Sequence, residues 1–261
     1  MIEGRALVTG AADRLGRAMA LKLADMGFDV AVHYGSSAEA AEETVAMIKA
    51  KGCHAVSLQA DLLDMDAAQA LVPAAAAALG GSLSVLINNA SIFEYDTVAT
   101  ATRTSWDRHI GSNFQAPFWL TQAFAAQAPD AGTDANGEPI ARAAIINMVD
   151  QRVRKLTPEF MTYTLAKMGL WALTQTSAQA LAPAVRVNAI GPGPTVQGVR
   201  QSDEHFARQR AGTVLNRGAN PEDITAALDY ILRAPAVTGQ LLCVDGGQHL
   251  GWKTADVIGV E

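Results

Sequence analysis

The sequence predicts an α/β fold, with one doubly wound, mostly parallel sheet of seven strands and helices on both of its faces. Three observations carry that expectation. Apolar runs of strand length alternate with helix-patterned segments from one end of the chain to the other. The connections are short and there is no internal repeat or linker, so 1–261 reads as a single domain. Hydrophobic residues make up 49% of the 261 positions and charged residues 18%, which suits a sizeable core and argues against disorder.

The elements follow in order. Ala6-Leu7-Val8 is the first strand, followed by a Gly-containing turn and a helix through Leu23 that closes near Gly27. Val30 to Tyr34 is the second strand, and Ser36-x-x-Glu39 has the pattern of a capping box for a helix ending near Gly52. Ala55 to Leu58 is the third, followed by Asp61 and an alanine-rich helix from about Asp64 to Leu79. Val85-Leu86-Ile87 is the fourth, ending in Asn88-Asn89-Ala90, and a long helical region runs from about Thr104 to Ala126. Pro129 to Pro139 is polar and rich in turn formers, a surface excursion. Ala143 to Val149 is the fifth strand, breaking at Asp150. A helix then starts at Thr157-Pro158-Glu159, with Thr as N-cap and Pro at the first helical position. Val185 to Ile190 is the sixth strand, Asn220-Pro221-Glu222-Asp223 opens another helix, and Gln240 to Val244 is the last strand.

Composition narrows the function. A net charge of −6 and a pI near 5.4 argue against a nucleic-acid surface. The two cysteines, Cys53 and Cys243, read as small buried residues, and nothing demands a disulfide. The N-terminus has no signal-peptide pattern and no apolar run approaches the ~18 residues needed to span a bilayer, so a soluble cytoplasmic protein is expected. His33, His54, His109, His205 and His249 have no metal-ligand spacing, and no metal is expected.

Tyr163 and Lys167 lie four apart on the helix after the fifth strand and share a face. A phenol with a free pKa near ~10 is a poor acid at neutral pH, and an ammonium beside it stabilises the phenolate. Such a pair suits proton donation to a double bond under reduction. At the other end of the chain, Gly10 permits a tight turn before the first helix, whose N-terminus offers free N–H groups to a diphosphate, and Gly16 allows close helix–strand packing. A protein that selects NAD places an acid at the tip of the second strand to bind the ribose 2′-hydroxyl. The tip here is His33-Tyr34-Gly35-Ser36-Ser37, without an acid, so hydroxyls and free N–H groups are left to hold a 2′-phosphate and NADP(H) is the expected cofactor.

Taken together, Thr9-Gly10…Gly16, Asp61, Asn88-Asn89-Ala90, Asn113, Tyr163-x-x-x-Lys167, Asn188, Pro192-Gly193 and Asp245-Gly246-Gly247 resemble the short-chain dehydrogenase/reductase family over almost the whole chain. The resemblance implies a single Rossmann-type domain, commonly a homotetramer. It implies that Tyr163 is the acid/base, that Lys167 tunes it and holds the nicotinamide ribose, and that Asn113 anchors a proton-relaying water. Two positions depart from the general pattern. Arg14 replaces the middle glycine of the turn, and Asp150 stands thirteen residues before Tyr163, where the family usually has serine. Both departures resemble the pteridine reductase branch, which includes dihydromonapterin reductases, as do Asn89-Ala90-Ser91-Ile92-Phe93, Gly111-Ser112-Asn113 with Pro117, and Gly191-Pro192-Gly193-Pro194-Thr195.

That branch implies a substrate site of Arg14, Ser91, Phe93, Asp150 and Tyr163, with a flat pterin stacked on Phe93. It implies a cofactor laid along Gly10, Arg14, Leu15, His33, Tyr34, Ser36, Ser37, Asp61, Leu62, Asn89, Ala90, Ser91, Tyr163, Lys167, Pro192, Gly193 and Thr195, and a covering segment at about 194–217. Asp61 fits either the adenine edge or a helix cap. The leading expectation is an NADPH-dependent reductase of dihydropterins of the dihydromonapterin, dihydrobiopterin or dihydrofolate type. The alternatives are a carbonyl reductase acting on an oxoacyl thioester or a sugar, and a non-catalytic NADP-binding protein.

Overall fold

Strand propensity, apolar content and short crossovers leave the seven apolar runs few arrangements. In the computed structural model, which describes residues 2–198, 201–254 and 257, they pair as a single parallel sheet. The elements in chain order are β1 (Arg5–Val8), α1 (Arg14–Asp25), β2 (Asp29–Tyr34), α2 (Ala38–Ala50), β3 (Ala55–Gln59), α3 (Met65–Ala78), β4 (Val85–Asn88), α4 (Arg103–Ile110), α5 (Ala116–Ala125), β5 (Gly132–Thr133), β6 (Pro139–Ile140), β7 (Ala143–Met148), α6 (Met161–Leu181), β8 (Val185–Pro192), α7 (Asp203–Ala211), α8 (Pro221–Arg233) and β9 (Leu241–Val244). The order across the sheet is β3-β2-β1-β4-β7-β8-β9. Every pairing is parallel, for example Leu7 with Leu86 and Asn88 with Asn147.

Alternation along the strands divides the core into two layers. Ala6, Val8, Val85, Ile87 and Ile146 face one side, where they meet Leu23 of α1, Ile48 of α2 and Leu228 of α8. Leu7, Leu86 and Ile145 face the other, against Leu71 of α3, Leu120 and Phe124 of α5 and Ala178 of α6. Strand β7 is buried along its whole length because both of its faces are covered. The sheet changes direction between β1 and β4, so their C-terminal ends open a crevice between diverging loops.

Several local expectations give way to tertiary contacts. The helix carrying Tyr163 begins at Met161, four residues after Thr157, whose hydroxyl accepts from Arg152 Nη1 at 2.8 Å instead of from a helix N–H. The stretch from 104 to 126 is not one helix. Thr102 and Ser105 form a capping box for α4, and a π-helical segment, Gly111–Gln115, then separates α4 from α5. Ser36 and Glu39 form no capping box, and the Ser37 N-cap of α2 makes no side-chain capping bond. The polar excursion contains a small antiparallel ribbon, β5 with β6. Cys53 and Cys243 are free and half-buried, not fully buried. Among the described residues, no helix is long and apolar enough to cross a membrane.

Candidate active site

At the C-terminal ends of β1, β2, β4, β7 and β8 lies a cleft of about 800 Å³. Its floor is a close interlock of backbone and side chain. The Thr9 hydroxyl accepts the N–H groups of Asn89 and Ala90 at 2.9 and 3.0 Å, while Asn89 Nδ2 donates to the carbonyls of Thr9 and Gly10 at 2.9 and 3.1 Å. This ties the β1 turn to the end of β4. A Cβ at Gly16 would stand 2.0 Å from the Gly10 carbonyl oxygen and 2.7 Å from Asn89 Nδ2, so only glycine lets α1 start this close to the turn.

Arg14 occupies the turn with φ 53°, keeping the left-handed backbone of the glycine it replaces. Its guanidinium crosses the cleft and donates to the carbonyls of Gln197 and Val196 at 2.9 and 3.1 Å. The turn is thereby tied to the 194–217 segment, whose far side Arg210 anchors through the carbonyls of Pro194 and Ala219. Arg14 therefore acts as a strap across the cleft.

His33 lines the cleft, but both its ring nitrogens are spent on the protein. Nδ1 accepts from the Gly10 N–H at 3.0 Å, which places the proton on Nε2, 3.1 Å from the Ala60 carbonyl. Burial lowers its pKa and keeps it neutral. It thus braces the turn from beneath while still facing the cleft. Tyr34, Ser36 and Ser37 line the cleft at the β2 tip. The Ser37 side chain makes no capping bond at the start of α2, where the Ala38 N–H donates to the Ser36 carbonyl at 3.2 Å, and no carboxylate stands in the 33–37 tip to repel a phosphate. Asp61 Oδ1 accepts the Leu63 N–H at 2.9 Å, and Asp64 caps α3, so the helix-cap alternative for Asp61 falls away. The residues present fit a dinucleotide carrying a 2′-phosphate. Leu15, Leu62, Ala90, Pro192, Gly193 and Thr195 also line the cleft.

Asp150 follows β7 with extended backbone, and its two carboxylate oxygens divide their partners. Oδ1 accepts the Arg152 N–H at 2.8 Å, which closes a short 3-10 turn, Gln151–Val153. Oδ2 accepts the Tyr163 hydroxyl at 3.0 Å. Lys167, 2% exposed, donates to the Met148 carbonyl at 2.8 Å and lies 5.6 Å from the Tyr163 ring centroid. Burial pushes the Asp150 carboxyl above the usual carboxylate range, against the Arg152 N–H and guanidinium. Burial pulls Lys167 down to about 8. Burial and then the Asp150 charge hold the Tyr163 phenol well above its ordinary value. The sequence-based expectation of a depressed phenol is not met, because desolvation and the Asp150 carboxylate outweigh the lowering from the Arg152 charge and the Ser91 hydrogen bond.

Asn113 does not line the cleft. It is fully buried in the π-helical segment, where its Oδ1 accepts the Ser91 hydroxyl at 2.6 Å and its Nδ2 donates to the carbonyls of Ile92 and His109 at 2.9 and 3.1 Å. It reaches the cleft through Ser91. Phe93 is 49% exposed at the cleft wall, edge-on to Tyr163 at 4.7 Å, and one of its faces is taken by Phe160, stacked at 4.3 Å and 6°. Arg152 lies over Phe160 at 4.8 Å from the ring centroid. Phe160 is a site neighbour that sequence reasoning missed. The aromatic residue three before Tyr163 was visible, but it was read as the first turn of a helix. Thr9 was visible as a motif residue but not as the clasp of the floor.

Comparison with known proteins identifies the family. The model of the short chain dehydrogenase family matches residues 5–207. The 3-oxoacyl-(acyl-carrier-protein) reductase FabG of Staphylococcus aureus is 32% identical over 250 residues, covering 94% of this chain and 98% of that protein. Among solved structures, FolM alternative dihydrofolate reductase 1 from Brucella suis in complex with NADP superposes with a TM-score of 0.89 at 38% identity, covering 97% of this chain and 98% of the other. A short chain dehydrogenase from Burkholderia cenocepacia in complex with NADP gives 0.84 at 30% identity, covering 94% and 97%. By this family match, together with its parallel sheet, glycine turn and Tyr163/Lys167 pair, the chain belongs to the short-chain dehydrogenase family.

Proposed function

We propose that this protein is an NADPH-dependent reductase of dihydropterins, of the dihydromonapterin, dihydrobiopterin or dihydrofolate type. The observation that carries the reading is the 3.0 Å hydrogen bond from Tyr163 to a carboxylate, Asp150, where a carbonyl reductase of this family would use an alcohol. When bound, NADPH supplies the hydride that reduces a ring C=N bond. The chain's own groups manage the proton for the adjacent nitrogen. Tyr163 donates it, and Asp150, held above the usual carboxylate range by burial, replenishes or orients it. Lys167 holds the ribose end and keeps a positive charge behind the phenol until about pH 8. A flat substrate stacks on the face of Phe93 opposite Phe160, which contributes roughly 0.5–1.5 kcal/mol beyond area burial. Asn113 acts behind this wall by fixing Ser91 and Ile92. The similarity to the Brucella alternative dihydrofolate reductase supports the same reading. We further propose a cytoplasmic homotetramer, one domain per chain, with the 194–217 segment closing over the substrate.

The second reading, a 3-oxoacyl reductase, is favoured by the similarity to the Staphylococcus aureus enzyme. NADPH oxidation with a panel of dihydropterins, acetoacetyl thioesters and ketose sugars separates the two. Dihydropterins are expected to show at least about tenfold higher kcat/KM. A preference for the thioester or the sugar overturns the pterin reading, and turnover of none of them favours a non-catalytic role.

A further inference from the structure

Helix α6 begins without a cap of its own. The residue before it, Phe160, lies in the left-handed region at φ 54° and ψ 48° and offers no side-chain acceptor. The first N–H groups of a helix have no intrahelical partner, and leaving them unpaired inside a protein is costly. Asp96, from the loop after β4, meets two of them. Its main-chain carbonyl accepts the Met161 N–H at 3.3 Å, and its Oδ1 accepts the Thr162 N–H at 3.1 Å. Its Oδ2 accepts the Thr162 hydroxyl and, at 3.1 Å, the Ser105 hydroxyl from α4. Asp96 is 2% exposed, so this carboxylate is a buried charge held by a helix start and two hydroxyls.

His109, fully buried, completes the cluster. Its Nε2 accepts the Glu94 N–H at 3.1 Å, which leaves the proton on Nδ1 to donate to the Thr162 hydroxyl at 2.6 Å. Its ring lies edge-on to Tyr163, with centroids 6.0 Å apart. Its main-chain carbonyl accepts from Asn113, which in turn holds Ser91. One buried cluster thus joins the loop behind Phe93, the π-helical segment and the first turn of α6.

We propose that Asp96, Thr162 and His109 form a positioning device that fixes the first turn of α6 and so sets the Tyr163 hydroxyl against Asp150. None of the three lines the cleft; each acts through the residue next to it. Thr162 is the lever, because its backbone and hydroxyl are both pinned and its chain neighbour is Tyr163. The inference rests on the reading of Tyr163 as proton donor and not on the identity of the substrate.

The test uses the full chain with Thr162→Val, Thr162→Ser and Asp96→Asn. Activity is read as NADPH oxidation with dihydrobiopterin and with an acetoacetyl thioester, beside thermal melting and the pH profile of kcat. Thr162→Val is expected to lower kcat by about tenfold or more, because a misplacement of about an ångström at a reacting group costs that much, while KM for NADPH stays within about twofold. The apparent pKa of its kcat profile shifts, since the Tyr163–Asp150 contact sets it. Thr162→Ser, which keeps the hydroxyl, restores kcat to within about threefold and the pH profile to that of the parent. Asp96→Asn, which keeps an acceptor for the Thr162 N–H but loses the charge, moves in the same direction as Thr162→Val. The proposal is overturned if Thr162→Val and Asp96→Asn retain kcat and the pH profile. It is equally overturned if Thr162→Ser is as impaired as Thr162→Val, because the loss then follows general destabilisation. Tyr163→Phe, run alongside, reports separately on the donor reading: retained activity there would remove the donor itself.

Discussion

Replacing Asp150 with serine restores the family's usual residue and tests the chemistry assigned to the carboxylate. Two hydrogen bonds change. The Arg152 N–H exchanges its carboxylate acceptor for a neutral hydroxyl, and Tyr163 loses its 3.0 Å bond to a carboxylate. A hydrogen bond to a charged group contributes roughly 1.5–3 kcal/mol. If the Tyr163 bond is realised in the transition state, its loss lowers dihydropterin turnover by roughly 10- to 150-fold. A second readout follows from electrostatics. The Asp150 charge and hydrogen bond are, after burial, the causes that raise the Tyr163 phenol. Removing them lets the phenol titrate at lower pH, so the alkaline limb of the kcat profile moves toward neutrality. The assay is NADPH oxidation across pH with a dihydropterin and with an acetoacetyl thioester. Asp150→Ser is expected to lose the former and keep or gain the latter. Dihydropterin turnover within about threefold of the parent, on an unmoved pH profile, would refute the role given to the carboxylate.

Gly16→Ala forces a methyl group to within 2.0 Å of the Gly10 carbonyl oxygen, and overpacking of that kind costs about 1–3 kcal/mol; NADPH affinity measured by fluorescence titration is expected to fall at least about tenfold, and an unchanged Kd would show that the turn does not cradle the cofactor. Ser36→Asp places a carboxylate at the β2 tip, where like charge opposes a 2′-phosphate, and should shift the NADPH-to-NADH ratio of kcat/KM by more than about tenfold toward NADH; a constant ratio would move the phosphate site elsewhere. Phe93→Ala removes the stacking face and should raise KM for dihydropterins several-fold while leaving KM for NADPH within about twofold. His33 is held neutral with its pKa below the ordinary 6.5, so the unfolded chain takes up that proton first. Its contribution to stability is complete above pH 6.5 and is lost as pH falls from there toward the folded-state value. Thermal melting from pH 8 to pH 5 should show this acid limb, and His33→Gln should shrink it; an identical limb in the variant would contradict the assignment.

By itself the sequence determined the sheet and most of the cleft. Apolar runs of strand length with short crossovers admit few topologies, and Asp150 and the Gly10 turn fall after strand ends, where a doubly wound sheet gathers its loops, while Tyr163 and Lys167 come to the same cleft from α6. Local pattern could not show which polar groups would be claimed by distant partners. Thr157 looked like a cap but was taken by Arg152, and the true partner of the α6 start was Asp96, sixty-six positions before Thr162. His33 looked free for a ligand but was spent on Gly10 and Ala60. The order of the Tyr163 and Lys167 titrations also lay outside the sequence. Residue spacing gives the distance between two charges, but burial sets the dielectric around them, and here desolvation exceeds the pairing that spacing suggested.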